Sequence, residues 1–439
     1  MPTLISELAS LLREAHPRDP DDPGTEAPKA LPVLDDRRAY AALRRALRSV
    51  HPMVTTAEVA LDCLIDSLDR DVSTVLDAVL HHPAMRSLEA AWRGLRWVVD
   101  AVDSRENARC ELLNCSKEDL LADFEDSPEV PKSGLYKVIY SSEYGPFGGR
   151  AYGALFANYT FGAGPQDVAL LHKCAAVANM AALPLLTSFQ PQPADARASG
   201  PQYTKRSAFF RAGEARFVAG TWQRIAARAP WATTWKSGLR FEETSRTAGD
   251  RVWMSGALAA VVLAARSFAK WRLATDLDGP VQALELDSPW SPELDERMVE
   301  HGAMALAAGD EGVRIVAPRT CASADSLTPA GIGGAALTPA EAVMHRDLRG
   351  VFAITRFVQL AKTVHREQIG TWREREDLER ELGELMERFR GRGLEGQEVK
   401  VQYVEGNVGW YRFELRVRAG WSSGPALTLV SGDQKLDLE

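Results

Sequence analysis

Residues that could carry chemistry are scattered through this sequence, and they form no catalytic or metal-binding pattern. His81 and His82 are adjacent at the expected end of a helix, so their rings point in different directions, which favours capping or packing over metal ligation. The segment GIGGAA (331–336) has the outline of a dinucleotide-binding loop. It follows Pro329 and a Thr/Ser-rich run, however, where such a loop needs a strand. The sequence therefore predicts no enzyme, no cofactor and no metal.

Paired carboxylates, which acid–base catalysis would need, occur in the C-terminal third. Glu374 and Glu376, like Glu379 and Glu381, lie beside arginines in an expected helix, a pattern typical of a solvated, charge-paired face. The Gly-rich stretch EYGPFGGRAYG (143–153) lies between two expected strands. It does not present helix amides to a phosphate, so we expect a tight turn. An α/β enzyme with an unrecognised site remains an alternative.

The bulk composition indicates an ordinary globular protein with room for two or three domains. The chain has 439 residues, a formal net charge of −8 and five cysteines. The charge argues against nucleic acid as the main partner, and the cysteine spacing fits neither a disulfide framework nor a zinc site. The N-terminus lacks the features of a signal peptide, and the apolar run 252–265 is shorter than the roughly 20 residues of a membrane span. We expect a cytoplasmic protein with neither nucleic acid nor membrane as its partner.

The elements that must position any site suggest a mixed α/β fold. Residues 35–100 read as helical, with Thr55 or Thr56 capping the helix that ends near residue 82. Further along, we predict strands at 133–142, 150–161 and 183–189, and helices at 164–182 and 252–271. Strand, helix and strand in this order predict a crossover unit, and so a partly parallel mixed sheet covered by helices.

The C-terminal region predicts a long helix followed by a β-hairpin. A Gly/Pro/Ser/Thr-rich linker at 319–341 precedes a helix from about Pro339 to Arg390 with a break near Gly350. Its apolar stripe is formed by Val364, Ile369, Trp372, Leu378, Leu382, Leu385 and Phe389. The charged face opposite is either solvated or a docking surface.

The hairpin is read from two runs in which apolar and polar residues alternate around the turn EGNVG (405–409). The apolar positions are Val399, Val401, Tyr403, Tyr411, Phe413, Leu415 and Val417. A two-stranded hairpin is marginal alone in water. Something must therefore cover its apolar face and its edges, either from this chain or from another.

The N-terminal region carries a second amphipathic feature. One helical stripe contains Leu4, Ile5, Leu8, Leu11 and Leu12. A Pro- and Asp-rich arm follows it. The stripe either docks on the parent body or is offered to a groove of a partner. The expected division is an N-terminal helix and arm at 1–34, an α/β region at 35–335 and a C-terminal domain at 336–439.

Five phrases in consistent order resemble the large sheath subunit family of bacterial type VI secretion systems, TssC, also called VipB. They are HHPAMRSLEAAWRGLRWVV, LYKVIYSSEYGPFGGRAYGALFANYTF, GPQDVALLHKCAAVANMAALPLL, REQIGTWREREDLEREL and VEGNVGWYRFELRVR. The resemblance runs from about residue 55 to the end of the chain. It implies a structural subunit of a contractile, tail-like sheath.

The resemblance also implies partners. These are a small sheath subunit (TssB, or VipA-like), neighbouring sheath protomers, an inner tube of Hcp-like protein, a baseplate and a recycling ATPase resembling ClpV. It implies that the C-terminal hairpin takes strands from neighbouring subunits, and that Leu4, Ile5, Leu8, Leu11 and Leu12 anchor the ATPase. The alternative within this class is the sheath of a phage-like or extracellular injection particle, which assembles without a separate small subunit.

Overall fold

The structure is a computed structural model that describes residues 57–435, except for 103–104, 106–107, 147, 192–200, 235–239, 246, 324–345, 369–373, 390–393, 404–409, 421–426 and 431–433. Within this part, the chain divides into two compact units. Of the described residues, the first unit combines those up to Glu89 with those of Arg228–Val252, and the second combines those of Ala90–Ala227 with those from Trp253 onward.

The main elements are numbered here in chain order. The longer helices are α1 Ala57–Leu80, α2 Pro83–Ala101, α3 Lys117–Asp126, α4 Pro165–Ala181, α5 Pro201–Phe210, α6 Leu258–Trp271, α7 Pro292–Glu300, α8 Leu348–Gln368 and α9 Arg375–Glu387. The strands are β1 Leu155–Phe161, β2 Leu185–Phe189, β3 Val218–Thr221, β4 Arg224–Ala226, β5 Ala232–Thr234, β6 Arg240–Glu242, β7 Trp253–Ser255, β8 Leu306–Gly309, β9 Gly312–Ile315, β10 Leu394–Tyr403, β11 Trp410–Ala419, β12 Leu427–Val430 and β13 Gln434–Lys435.

In the first unit, helix α1 is joined to the β5–β6 hairpin by carboxylates. Asp77 accepts a hydrogen bond from the Thr244 amide at 3.1 Å, and Asp69 accepts one from the Arg240 amide at 3.4 Å. The buried guanidinium of Arg228 lies between Glu89 and Glu243, donating to both carboxylates. Since a buried charge is costly unless it is paired, this triad forms only because both acids face the one arginine.

The second unit is built on a three-stranded parallel sheet in the order β1-β2-β3. Helix α4 is the crossover between β1 and β2. It begins with Pro165 in its first turn and has Asp167 there as well, which suits the positive end of the helix dipole. All five residues of β2 are buried. The predicted α/β fold with a crossover unit is therefore confirmed.

The apolar residues of the second unit form three clusters. One surrounds α4 and the parallel sheet, and a second surrounds α6, which the sequence placed at 252–271 but which begins at Leu258. Residues 253–255 form strand β7 instead, because they pair with β4. The third cluster lies between α8, α9 and the C-terminal hairpin.

The strand predicted at 133–142 is wrong, because this segment is helical. Gly134–Tyr136 and Ser142–Tyr144 are short α-helices, and Lys137–Ser141 between them is a π-helix. Ser133 caps the segment by accepting from the Tyr136 amide, and Asp123 accepts from the Gly134 amide at 2.7 Å. The stacked rings of Tyr136, Tyr140 and Tyr144 recur every four residues, a spacing that favours a helix over a strand.

Two other sequence-based boundaries also differ. The predicted strand 150–161 is reduced to Leu155–Phe161. The predicted long helix is two helices, and Gly350 lies inside the first of them rather than at a break. Glu374, which directly precedes α9, has an extended backbone with φ −78° and ψ 153°. The linker 319–341 lies mostly, and the caps at Thr55 and Thr56 entirely, outside the described residues.

Candidate functional site

The C-terminal hairpin is present where the alternating pattern placed it. Strands β10 and β11 are antiparallel, with Val399 opposite Leu415, Val401 opposite Phe413 and Tyr403 opposite Tyr411. Because side chains alternate across a strand, these apolar residues share one face. The turn 405–409 lies outside the described residues.

Helix α9 covers the apolar face of the hairpin. Phe413 is fully buried, and Val399, Val401, Tyr411 and Leu415 are also buried. They form one cluster with residues from α8 and with the α9 side chains Leu378, Leu382 and Met386. Burying each large apolar side chain contributes about 1.5–3 kcal/mol. The chain therefore covers its own hairpin face, so that face does not await a partner.

Tyr403 departs from the alternating burial of the hairpin, and the predicted stripe of the long helix is largely buried. Tyr403 is 59% exposed, with its ring 5.2 Å from that of Tyr411. Val417 lies in β11 opposite Leu427 of β12. The helical stripe is buried at Val364, Leu378, Leu382 and Phe389 and partly buried at Leu385, whereas Ile369 and Trp372 lie outside the described residues.

The opposite face of the hairpin is charged, and its register is complementary. Lys400 lies opposite Glu414, and Glu398 lies opposite Arg416. Arg416 Nη1 is 3.9 Å from Glu398 Oε2, and Lys400 Nζ is 3.3 Å from Glu398 Oε1. Exposed ion pairs of this kind each contribute about 0–1 kcal/mol. They favour the observed register more than they stabilise the fold.

The edges of the sheet are unequal. Strand β11 is flanked on one side by β10 and on the other by β12 and β13. Among the described strands, β10 pairs only with β11. A bulge interrupts β10 between Glu395 and Glu398. The regular stretch from Val399 to Tyr403 is thus an edge with unpaired backbone positions, the kind of site at which another strand can be added.

One acid near this edge has a role that the sequence did not reveal. The carboxylate of Glu379 on α9 accepts a hydrogen bond from the Val401 amide, with 3.1 Å between the nitrogen and Oε2. Glu376 behaves as predicted, because its Oε1 lies 2.7 Å from Arg375 Nη2. That hydrogen bond lowers the pKa of Glu376 and raises the pKa of Arg375. The periodicity of a charged helix cannot show which acid meets a strand amide.

Helix α8 supports the hairpin and is itself held by a row of polar side chains. Gln359 donates to the carbonyls of Tyr152 and Ala182 at 2.7 and 2.8 Å. Lys362 donates to the Met180 carbonyl at 2.9 Å and lies over the rings of Tyr140 and Tyr144. Burial lowers the pKa of Lys362 to about 8 and raises the pKa of the Tyr144 hydroxyl.

Arg366 continues this row one turn further along α8. The guanidinium is almost completely buried, and it donates to the Glu143 carbonyl at 3.1 Å. A second contact reaches the Gly149 carbonyl at 3.4 Å. The Gly-rich segment therefore serves as a docking surface for α8, and its turn is further fixed because the Arg150 amide donates to Glu143 at 2.8 Å.

The histidines singled out at the end of α1 have structural contacts. His81 Nε2 is 3.4 Å from a carboxylate oxygen of Glu243, and His82 Nδ1 accepts from the Ala84 amide at 3.3 Å. The part of the chain that the structure describes contains no group of three His, Cys, Asp or Glu side chains placed to hold a metal. The segment 331–336 and the stripe from Leu4 to Leu12 lie outside the described residues.

Every helix in the described part of the chain lacks the length or the hydropathy that crossing a bilayer requires. Helix α6, at 14 residues, is the most apolar of the buried helices, and it belongs to the second cluster.

Comparison with known families identifies the class of protein. The model of the EvpB/VC_A0108 tail sheath N-terminal domain matches residues 62–292, and the model of the tail sheath gpW/gp25-like domain of the same proteins matches residues 338–423. Together they cover most of the chain, including the crossover unit and the hairpin. The chain belongs to this tail sheath family, and it is a structural subunit of a contractile sheath.

Within the sheath family, the chain is similar to a protein of known assignment. The chain is 25% identical to the type VI secretion system sheath protein TssC1 of Pseudomonas aeruginosa, over 87% of this chain and 88% of that protein. A crystal structure of a sheath tail protein from Desulfitobacterium hafniense matches with a TM-score of 0.34 and 9% identity, covering 61% of this chain and 60% of the other. A TM-score this low does not establish a common fold.

Proposed function

We propose that this chain is the large sheath subunit of a type VI secretion system. It pairs with a small sheath subunit, polymerises with neighbouring protomers around an Hcp-like inner tube on a baseplate, and contracts to drive secretion from the bacterial cytoplasm. Its work is mechanical, and it catalyses no reaction. The similarity to TssC1 over nearly the whole chain supports this assignment.

The open edge of β10 is the observation that carries the proposed assembly mode. A carbonyl and amide row from Val399 to Tyr403 borders no other described strand. An extended segment of another sheath subunit would form main-chain hydrogen bonds there. The assembly residues are Val399, Val401, Tyr403, Tyr411, Phe413, Leu415 and Val417. The first three supply the edge, and the other four support it from β11.

The remaining proposals concern organisation and recycling. We propose functional regions at 1–34, 35–335 and 336–439, the last carrying the hairpin. We also propose that Leu4, Ile5, Leu8, Leu11 and Leu12 form an amphipathic helix that a ClpV-like ATPase binds after contraction. An amphipathic stripe next to a Pro-rich arm suits helix-in-groove recognition.

Substitution of Phe413 tests the assembly role. Phe413 is fully buried beneath the hairpin. Phe413→Asp places an unpaired charge in that cluster, at a cost of several kcal/mol. We expect no tubes in electron micrographs of the variant co-expressed with the small subunit. Gln402→Asp is the matched control, because Gln402 is exposed on the charged face, and it should assemble normally.

A second variant separates assembly from folding. Tyr403→Pro removes only an exposed ring and an edge amide, and proline is tolerated on edge strands. We expect this protein to fold, as judged by circular dichroism, and to lose tubes. Normal tubes from Phe413→Asp would contradict the proposal. Tubes formed by this chain alone would favour the phage-like alternative.

A further inference from the structure

The amide of Val401 points away from β11, towards the open edge of the sheet. It donates to Glu379 Oε2 at 3.1 Å, although Val401 lies opposite Phe413 in register. In an antiparallel pair, residues alternate between positions that exchange hydrogen bonds and positions that do not. Val401 and Phe413 therefore form a non-hydrogen-bonded pair, and both backbone polar groups of Val401 face outward.

The same alternation defines what the edge offers to a partner. Val399 and Tyr403, two residues to either side of Val401, also direct their amides and carbonyls outward. The edge thus presents three donors and three acceptors over about 14 Å. The bulge between Glu395 and Glu398 ends this regular stretch on one side. An extended segment of about five residues fits it.

Glu379 obstructs the centre of this edge. A carboxylate that accepts from a backbone amide forms a charge-assisted bond, which is stronger than a neutral one. It also places a negative charge where an incoming carbonyl must sit. Charged side chains on an edge strand are a recognised means of preventing unwanted strand pairing. In the free subunit, Glu379 therefore both satisfies the Val401 amide and blocks its use.

A cation close to Glu379 can receive the carboxylate if a strand displaces it. Arg375, one helical turn earlier on α9, now pairs with Glu376 at 2.7 Å. The charge of Glu379 acts on Arg375 already, since it contributes to raising the pKa of that guanidinium after Glu376. A pair four residues apart on a helix is well placed to form an ion pair. Displacing Glu379 from Val401 therefore does not leave its charge isolated.

We propose that Glu379 is a reversible cap on the β10 edge, holding the Val401 amide in the free subunit and yielding it to a carbonyl of an extended segment from the small sheath subunit. This inference rests on the proposed function, because it assumes that β10 receives a strand during assembly. The occupant is a strand, since the edge offers backbone groups and the side-chain face beneath it is already covered by α9.

Hydrogen exchange of the isolated, full-length subunit tests the cap directly. Exchange of the Val401 amide is measured by mass spectrometry with fragmentation to single residues. Glu379→Ala should accelerate it roughly ten- to a hundredfold, as expected for the loss of one hydrogen bond to a charged group. Glu379→Gln keeps an acceptor oxygen and should retain most of the protection. Glu384→Ala, which removes an exposed acid from the same helix, should change nothing at residue 401.

Assembly kinetics with the small subunit test whether the cap is displaced. Tube formation followed by light scattering should be at least twofold faster for Glu379→Ala than for the unmodified chain, whereas Glu384→Ala should match the unmodified chain. Unchanged exchange at residue 401 in Glu379→Ala would show that the bond is not a cap. An unchanged assembly rate would also reject the inference, because Glu379 would then not obstruct strand addition. A slower rate would reject it as well, because Glu379 would then contribute to the assembled interface.

The remaining outcomes identify the occupant and separate the two proposals. If Glu379→Ala alone forms dimers in size-exclusion chromatography, the edge takes a second copy of this chain, and the assigned occupant is wrong. If Phe413→Asp still builds tubes, the proposed function fails, whatever the exchange result. Exchange of the Val401 amide needs no partner, so it tests the cap independently of assembly.

Discussion

Lys362 is the residue at which burial and charge conflict most directly. Its ammonium group lies over two tyrosine rings and donates to the Met180 carbonyl at 2.9 Å, yet no carboxylate is among these contacts. Burial disfavours the charged form. Gln359 and Arg366, on the same side of α8, likewise donate to backbone carbonyls. The row fixes α8 through hydrogen bonds rather than through ion pairs.

The lowered pKa of Lys362 predicts a pH dependence of stability. Burial lowers this pKa from 10.5 to about 8. Below pH 8 both the folded and the unfolded chain carry the proton, so the full cost of burying the charge is present. Between pH 8 and 10.5 the folded chain loses its proton first, and the free energy of unfolding rises with pH. We expect a rise of about 2 kcal/mol from pH 7.5 to 9.5.

Lys362→Met isolates this contribution. The variant has no proton to lose at this position. The free energy of unfolding of the parent minus that of the variant should therefore rise by that amount over the same range. Urea denaturation at both pH values measures the difference. Other groups, such as the Cys174 thiol, whose pKa burial raises to about 12, act on both proteins and cancel. An equal pH response of the two proteins would contradict the prediction.

At the scale of elements, the parallel sheet depends on one close approach. Gly220 in β3 lies opposite Thr187 of β2. A Cβ atom at Gly220 would stand 2.6 Å from the ring of Phe189 and 2.7 Å from the Thr187 carbonyl. Neither neighbour can move away easily, since both are buried in the sheet. The side chain is absent here because the strands leave no room for it.

Gly220→Ala should therefore lower the free energy of unfolding by about 1–3 kcal/mol, the cost of overpacking. Gly383 provides a control of opposite sign. It lies within α9 and has open space around it, so Gly383→Ala should stabilise the helix by roughly 0.5–1 kcal/mol. Thermal denaturation of the two variants measures the loss of stability in the first and the gain in the second. A neutral Gly220→Ala would show that the sheet adjusts to the added methyl group.

At the scale of the whole molecule, the proposed sheath function assigns different tasks to the two ends of the chain. In that proposal, the C-terminal hairpin holds subunits together through the β10 edge, and the N-terminal stripe binds the recycling ATPase. These tasks need no shared residue. The two ends should therefore be separable by mutation, which distinguishes a division of labour from a general loss of folding.

Deleting residues 1–15 tests this separation. We expect tube formation with the small subunit to be unaffected in electron micrographs, because no assembly residue is removed. Binding of a ClpV-like ATPase to contracted tubes in a sedimentation assay should fall at least tenfold, because the five apolar anchors are lost. Arg13→Ala, a polar change in the same segment, should bind normally. Unchanged capture by the deletion variant would reject the role of the stripe.

The sequence by itself determined the elements that follow from local residue patterns, such as the alternation of apolar residues in a strand. The α4 crossover follows from Pro165, Asp167 and an apolar run, and the hairpin follows from alternation at Val399–Tyr403 and Tyr411–Leu415. The residues and the order of the five longer segments were enough to identify the sheath family, and the family comparison confirmed that identification. These features could be predicted because they depend on residues that are close together in the sequence.

Only the tertiary structure decided the rest. The segment 133–142 has strand-forming residues, but Asp123, ten or more positions earlier, caps it as a helix. Tyr403 fits the apolar pattern and is nevertheless 59% exposed, whereas Tyr411 opposite it is buried. Glu379 resembles any solvated acid until α9 brings it to the Val401 amide. For the segment 133–142 and for Glu379, the deciding contact joins residues that are distant in sequence, and periodicity carries no information about such contacts.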